Sequence, residues 1–304
     1  MIRRLLLAGT ALAAACAAGS RGTSTTAAPA TIPAPASLPT PGSPTTAPGS
    51  DGSSAGHPDA VRYGPSALRY VVHRRLHIQQ ALGDQTQVQA VGARIFVATA
   101  ITGPADSVGY PTTFLVDSIV ADSGTPLPIV DNVSKVRKLV FAGRVAPRGE
   151  FVNALASDSA VAQSVVQLLG NFRDFLPRLP VDGVKPGAAW TNTVETTQKG
   201  SGSEVSRRAI THATAAGWED RLGTRSVRVE GSQTYRVAGG GKNAGQPFEL
   251  SGAGTGGGIS YIGADGRYLG GEWQDSTTLT VRLPIQGVAV PVIQVTRTTV
   301  AVLP

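Results

Sequence analysis

Cysteine occurs once in the 304 residues, at Cys16. No internal disulfide can form, which excludes a disulfide-stapled secreted scaffold and leaves any fold dependent on its hydrophobic core. Charged residues make up only 15% of the chain and aromatic residues 5%. The basic residues (Arg74 and Arg75, Lys135 to Lys138, Arg207 and Arg208) are dispersed and are not interleaved with aromatics, so the pattern argues against a nucleic-acid interface. Setting Arg3 and Arg4 aside from the formal +7 leaves +5, a modest excess that favours contact with anionic lipid or polysaccharide. Long apolar runs are also missing. The run from Leu5 through Ala15 is too short to span a bilayer comfortably.

That run does have the length of a signal-peptide core. It follows the positive Arg3-Arg4 and ends in small residues. Leu12-Ala13-Ala14-Ala15-Cys16 resembles a bacterial lipobox, although Ala13 stands where that pattern usually has Leu. The resemblance implies that residues 1–15 are removed and that Cys16 carries diacylglycerol. Two or three acyl chains anchor a protein stably where one does not, at about 0.8 kcal/mol per buried CH₂. The alternative is ordinary signal-peptide cleavage, leaving a soluble periplasmic or secreted protein. Ala17 is not the Asp that commonly retains such lipoproteins at the inner membrane, so the resemblance favours the outer membrane.

Residues 16–58 are rich in Thr, Ser, Pro, Ala and Gly and lack apolar periodicity, which predicts a disordered tether. Gly52-Ser53-Ser54-Ala55-Gly56 spells the G-x-S-x-G of a hydrolase elbow. Neither a strand before it nor a helix after it supports that role.

From residue 59 to 304 the pattern predicts a single β-rich domain. Leu68, Tyr70, Val72, Leu76 and Ile78 alternate with Arg69, His73, Arg75 and His77, as in a half-buried strand. Further strands are expected near 86–101, 110–122 and 140–155. Six more follow at 188–198, 204–218, 225–237, 247–261, 267–283 and 288–302, forming an antiparallel meander. Asp265-Gly266 between Tyr261 and Tyr268 reads as a two-residue hairpin turn with positive φ at both central positions. Between the two runs of strands, Val161, Val165, Leu168, Leu169, Phe172, Phe175 and Leu176 recur at helical spacing. They predict an amphipathic helix over 157–176, capped by Ser157 or Asp158 and stopped by Pro177 and Pro180. A shorter helix is expected near 132–139. About ten long strands and one long helix suggest a mainly β (α+β) fold. Its form would be a long, curved antiparallel sheet or open half-barrel with the helix in or across its concavity.

Phe175-Leu176-Pro177-Arg178-Leu179-Pro180, Pro186-Gly187-Ala188-Ala189-Trp190 and the Asp265-Gly266-Arg267 hairpin carry a resemblance from Tyr70 to the end. It is similar to an uncharacterised family of secreted bacterial proteins, classed as a domain of unknown function (6263). That resemblance implies no catalytic residues. The architecture also resembles the half-barrels of periplasmic lipoprotein carriers and lipid-carrier lipoproteins, in which a curved sheet wraps helices around an apolar cavity; this is an analogy of fold.

The residues that chemistry would need do not gather in the sequence. His73 and His77 share a strand face with Arg69 and Arg75, whose cations oppose a divalent metal, so no metal site is expected. His212 stands isolated. Gly252-Ala253-Gly254-Thr255-Gly256-Gly257-Gly258 lacks the surrounding βαβ unit of a phosphate loop. Its alternate glycines suit a bent sheet or the close packing of another element. Asp117, Glu195, Glu219, Glu272 and Asp275 sit singly on what read as polar strand faces, so no paired-carboxylate enzyme is expected, and no cofactor is implied. The remaining candidates are apolar. Phe172, Phe175, Trp190, Tyr235 and Trp273 pack the core by default, and line a ligand cavity only if helix and sheet leave space between them. The expected function is therefore that of a noncatalytic envelope lipoprotein binding a hydrophobic ligand or another envelope component. The alternatives are a structural or assembly lipoprotein acting through its surface, and an envelope hydrolase.

Overall fold

A computed structural model describes residues 60–83, 85–125, 136–164, 175–200, 202–243 and 245–304. Cys16, the tether and Phe172 lie outside the described residues. The strands are β1 (Ser66–Leu82), β2 (Gln85–Ile101), β3 (Tyr110–Ala121), β4 (Leu139–Val145), β5 (Phe151–Ala156), β6 (Ala189–Gly200), β7 (Ser203–Arg221), β8 (Thr224–Asn243), β9 (Gln246–Gly263), β10 (Tyr268–Leu283) and β11 (Val288–Val302). They form one antiparallel open sheet in the order β5-β4-β3-β2-β1-β11-β10-β9-β8-β7-β6. Two hairpin meanders, β1 to β5 and β6 to β11, meet where β1 pairs with β11, Tyr70 opposite Val302 and Gln80 opposite Val292.

The described residues hold eleven strands, one more than the periodicity suggests, because 140–155 divides. Gly149 donates to Ala146 O and Ala146 to Glu150 O, both at 2.8 Å, closing a tight turn between β4 and β5. The turn after β9 repeats this pattern, with Gly266 donating to Gly263 O and Gly263 to Arg267 O, both at 2.8 Å. Gly149 (φ 95) and Gly266 (φ 81) are left-handed, whereas Asp265 is not. The expected two-residue turn is therefore a type I turn followed by a glycine bulge. Asp265 serves it through its side chain, which accepts from Arg267 N at 3.1 Å.

A second correction concerns the long helix. Within 157–176 the described helix is α1, Ser159–Ser164. It is capped as the sequence suggests, with Val161 N donating to Asp158 Oδ1 at 2.9 Å. Residues 165–174 lie outside the described residues, and from Phe175 the backbone is irregular. A single long helix is thus not a feature of the described structure. Of the short helix expected near 132–139, residues 132–135 lie outside the described residues; Val136 stands in a 3-10 turn, and a turn at 137–138 leads into β4 at Leu139.

β5 and β6 lie on opposite edges of the sheet. In the described part of the chain between them, Leu176, Leu179 and Val184 are buried. Tyr63 Oη donates to Pro177 O at 2.6 Å, and Val61 and Val184 exchange backbone hydrogen bonds at 2.8 Å. The same stretch links both edges. Leu179 N donates to Arg148 O at 2.9 Å beside β5, and Trp190 Nε1 on β6 donates to Arg178 O at 2.9 Å. Arg148 Nη2 also hydrogen-bonds Asn192 Oδ1 on β6, so the sheet curls until its two edges approach at this end.

The enclosed side chains form two apolar clusters at different heights along the same strands. One contains Tyr70, Ile95, Val97, Phe114, Phe151, Leu179, Val227 and Ile262. The other contains Ile78, Val205, Tyr235, Val237, Leu250, Leu279 and Val292. Within the first, Phe114 meets Phe151 edge-on at 4.7 Å between centroids and Phe175 at 5.3 Å. Such edge-to-face pairs add to the burial of the rings themselves.

Candidate functional site

Between the two clusters the concave face turns polar. Strand parity explains which residues lie there: Arg74 alternates inward with Val72 and Leu76, Gln233 with Gly231 and Tyr235, and Asp275 with Trp273 and Thr277. A cavity of about 330 Å³ occupies this level. Its wall includes Val72 and Arg74 from β1, Arg207 and Thr211 from β7, Trp273 and Asp275 from β10, and Thr296 and Val300 from β11. Phe175 to Arg178 close one side. Its size sits at the lower end of the range for small-molecule sites, roughly 300–1,000 Å³.

The glycine-rich stretch of β9 makes room for this arrangement. A Cβ on Gly256 would lie 2.3 Å from Asp275 Oδ1, and one on Gly258 would lie 2.7 Å from Trp273 Cε3. From β8, a Cβ on Gly231 would stand 2.9 Å from Trp273 Cζ3. The Trp273 indole therefore spreads across bare backbone of two neighbouring strands. Its Nε1 donates to Asp275 Oδ1 at 3.0 Å.

A relay of neutral groups fixes Arg207. Gln233 Nε2 donates to Thr211 Oγ1 at 2.7 Å, which orients the amide so that Gln233 Oε1 accepts from Arg207 Nη2 at 2.7 Å. The guanidinium also lies 4.3 Å from the centroid of the Tyr235 ring. Arg207 Nε and Thr296 Oγ1 are buried without a hydrogen-bond partner among the described residues. Each such orphan costs about 1–3 kcal/mol unless something in the cavity satisfies it.

Burial dominates the titration of the inward charges. It raises Asp275 above the usual carboxylate range, against the opposing hydrogen bond from Trp273 and the fields of Arg207 and Arg74. Burial likewise lowers Arg74, with Asp275 pulling the other way. The carboxylate of Asp275 keeps some access to the cavity while protein atoms surround most of it.

The apolar candidates separate into two groups. Phe175 and Trp273 line the cavity. Trp190 instead packs against the first cluster at the β6 edge. Tyr235 is buried in the second cluster, its hydroxyl 2.9 Å from Thr277 Oγ1. Arg74, Arg207 and Asp275 were not singled out as a set by sequence reasoning, and Asp275 lies on the inward face, not on the polar face assigned to it. The available signal was parity, since each occupies an inward position in an alternating run.

On the convex face, the sheet brings an acid to a histidine that had none nearby in sequence. His73 Nε2 lies 2.9 Å from Asp122 Oδ2, with Arg75 Nε 3.4 Å from the same oxygen. Burial raises Asp122, but hydrogen bonds and charge from His73 and Arg75 outweigh it and leave the carboxyl below its usual range. His212 Nδ1 lies 2.9 Å from Thr191 Oγ1. Among the described residues no three of His, Cys, Asp and Glu converge in a way that would hold a metal ion.

No family model and no curated protein matches the chain. Among solved structures, Pseudomonas aeruginosa OccK2 (OpdF) is similar at 8% identity over 78% of this chain and 98% of that one, with a TM-score of 0.25. A likeness at that level carries no argument about function.

Proposed function

We propose that the chain is a noncatalytic, lipid-anchored protein of the cell envelope whose half-barrel holds a hydrophobic ligand in its concave cavity. The observation that carries this reading is the cavity between the two apolar clusters, walled by Val72, Phe175, Trp273 and Val300 together with polar side chains that include Arg74, Arg207, Thr211 and Asp275. Apolar wall supplies affinity for a ligand, and the polar groups set its orientation. The lipobox resemblance at Cys16 and the Pro-, Thr- and Ser-rich tether support attachment to a membrane, with the outer membrane favoured by Ala17.

The test is extraction of the purified full chain with organic solvent, followed by lipid mass spectrometry. Recovery of stoichiometric acyl compounds not attached to Cys16 is the expected result. A clean extract at full occupancy of folded protein would instead favour action through the surface. Attachment is checked separately, because Cys16→Ser should abolish incorporation of labelled palmitate.

A further inference from the structure

The cavity is unevenly charged. Arg74 from β1, Arg207 from β7 and Asp275 from β10 turn inward on it, while Arg178 at its rim is held by Glu150 at 3.3 Å. Arg207 has two neutral direct contacts, the Gln233 amide and the Tyr235 ring, with Asp275 near enough to feel its charge and Glu272 also on the cavity wall. Its Nε–H is buried and unused, and so is the hydroxyl of Thr296 on β11, a residue only 2% exposed. The Thr211–Gln233 hydrogen bond holds the fork in place before anything binds. A fixed guanidinium with a free N–H is shaped to receive an oxyanion, which can take two parallel hydrogen bonds from it. Asp275 repels an anion on the β10 side, so the β7 wall is where such a group would sit. Trp273, Phe175 and Val300 leave apolar surface beside it.

We infer that the cavity selects a single-chain amphiphile with an oxyanion head, carboxylate or phosphate, the head seated on Arg207 and the chain along Trp273 and Phe175. This rests on the cavity being a ligand site and adds the chemistry of the ligand. The experiment is calorimetric titration of the delipidated full chain with dodecanoate, dodecyl phosphate, dodecanol and inorganic phosphate, each kept below micelle formation. At least one anionic amphiphile should bind about tenfold or more tightly than dodecanol, the scale of one charge-assisted hydrogen bond. Arg207→Gln should erase that preference, bringing the anionic amphiphiles to within about twofold of dodecanol on the same variant. If the native chain binds dodecanol as tightly as both anions, the oxyanion inference fails while the cavity reading stands. If no amphiphile binds, both fail. Binding of inorganic phosphate as tight as that of dodecyl phosphate would replace the amphiphile with a free anion. The comparison among probes uses the native chain, so it decides the matter even if the variant does not fold.

Discussion

Replacing Gly256 with Ala should unseat the polar level of the half-barrel. The new Cβ would stand 2.3 Å from Asp275 Oδ1, 3.1 Å from Trp273 Nε1 and 3.2 Å from Gln274 O. Asp275 Oδ1 is the atom that accepts from Trp273 Nε1, so relief of the clash breaks that hydrogen bond. Overpacking costs about 1–3 kcal/mol, and loss of a hydrogen bond to a charged group about 1.5–3 kcal/mol. The smaller unfolded-state entropy of Ala returns about 0.5–1 kcal/mol. The net expectation is a loss of about 2–5 kcal/mol, read as a lower urea midpoint with an unchanged slope. Trp273 emission should shift at the same time. Gly257 is the comparison, since its Cβ would meet a single atom, Gly231 O, at 3.2 Å. Its Ala variant should stay within about 1 kcal/mol of the native chain. A Gly256→Ala chain as stable as native, with native Trp273 emission, would refute the claim that bare β9 backbone seats these side chains.

Phe114→Ala removes a ring that is 1% exposed and lies edge-on to Phe151 and Phe175, so urea titration should show a loss of about 3–5 kcal/mol. Asp275→Asn should stabilise the chain increasingly as pH rises from about 4. The folded state holds the Asp275 proton more tightly than the unfolded state does, so the native chain loses stability as pH climbs through that interval, and the variant does not. Melting temperatures of the two chains across pH check this, and parallel curves would count against it. Asp106 is drawn down to about 2, chiefly by the Arg144 side chain and then by Gly109 and Val108 N–H. Arg144→Met should move its carboxyl titration, followed by NMR, back toward the ordinary range, and an unmoved midpoint would assign the shift to the backbone donors alone.

Much of the sheet is legible in the sequence because period-two alternation survives wherever one face is dry. β1 reads cleanly from Leu68 to Ile78, and β8 and β10 do so around Tyr235 and Trp273. The same alternation hides the polar level. A charged residue in an inward slot looks like a surface residue when single side chains are judged by polarity, as Asp275 was, while Arg74 was placed on neither face. Counting positions from Val72 to Leu76, or from Trp273 to Leu279, places them inside. The break at 146–150 was missed because Val145 and Phe151 continue the apolar pattern on either side, and the turn depends on the left-handed backbone of Gly149. The approach of Arg148 to Asn192 could not be read at all, since it depends on how far the sheet curls and not on any local spacing.

The seam between β1 and β11 governs assembly in time. Each meander can begin to form from neighbouring hairpins, but neither has a partner along its β1 or β11 side until residues near both ends of the described sequence are free to pair. Leu303 N reaches back to Arg69 O at 2.8 Å only then. Pairing over so long a separation is slow to nucleate, so the half-folded chain must be shielded until the last strand arrives. Trimming β11 would leave two unmated ribbons, each with a long bare edge open to other chains.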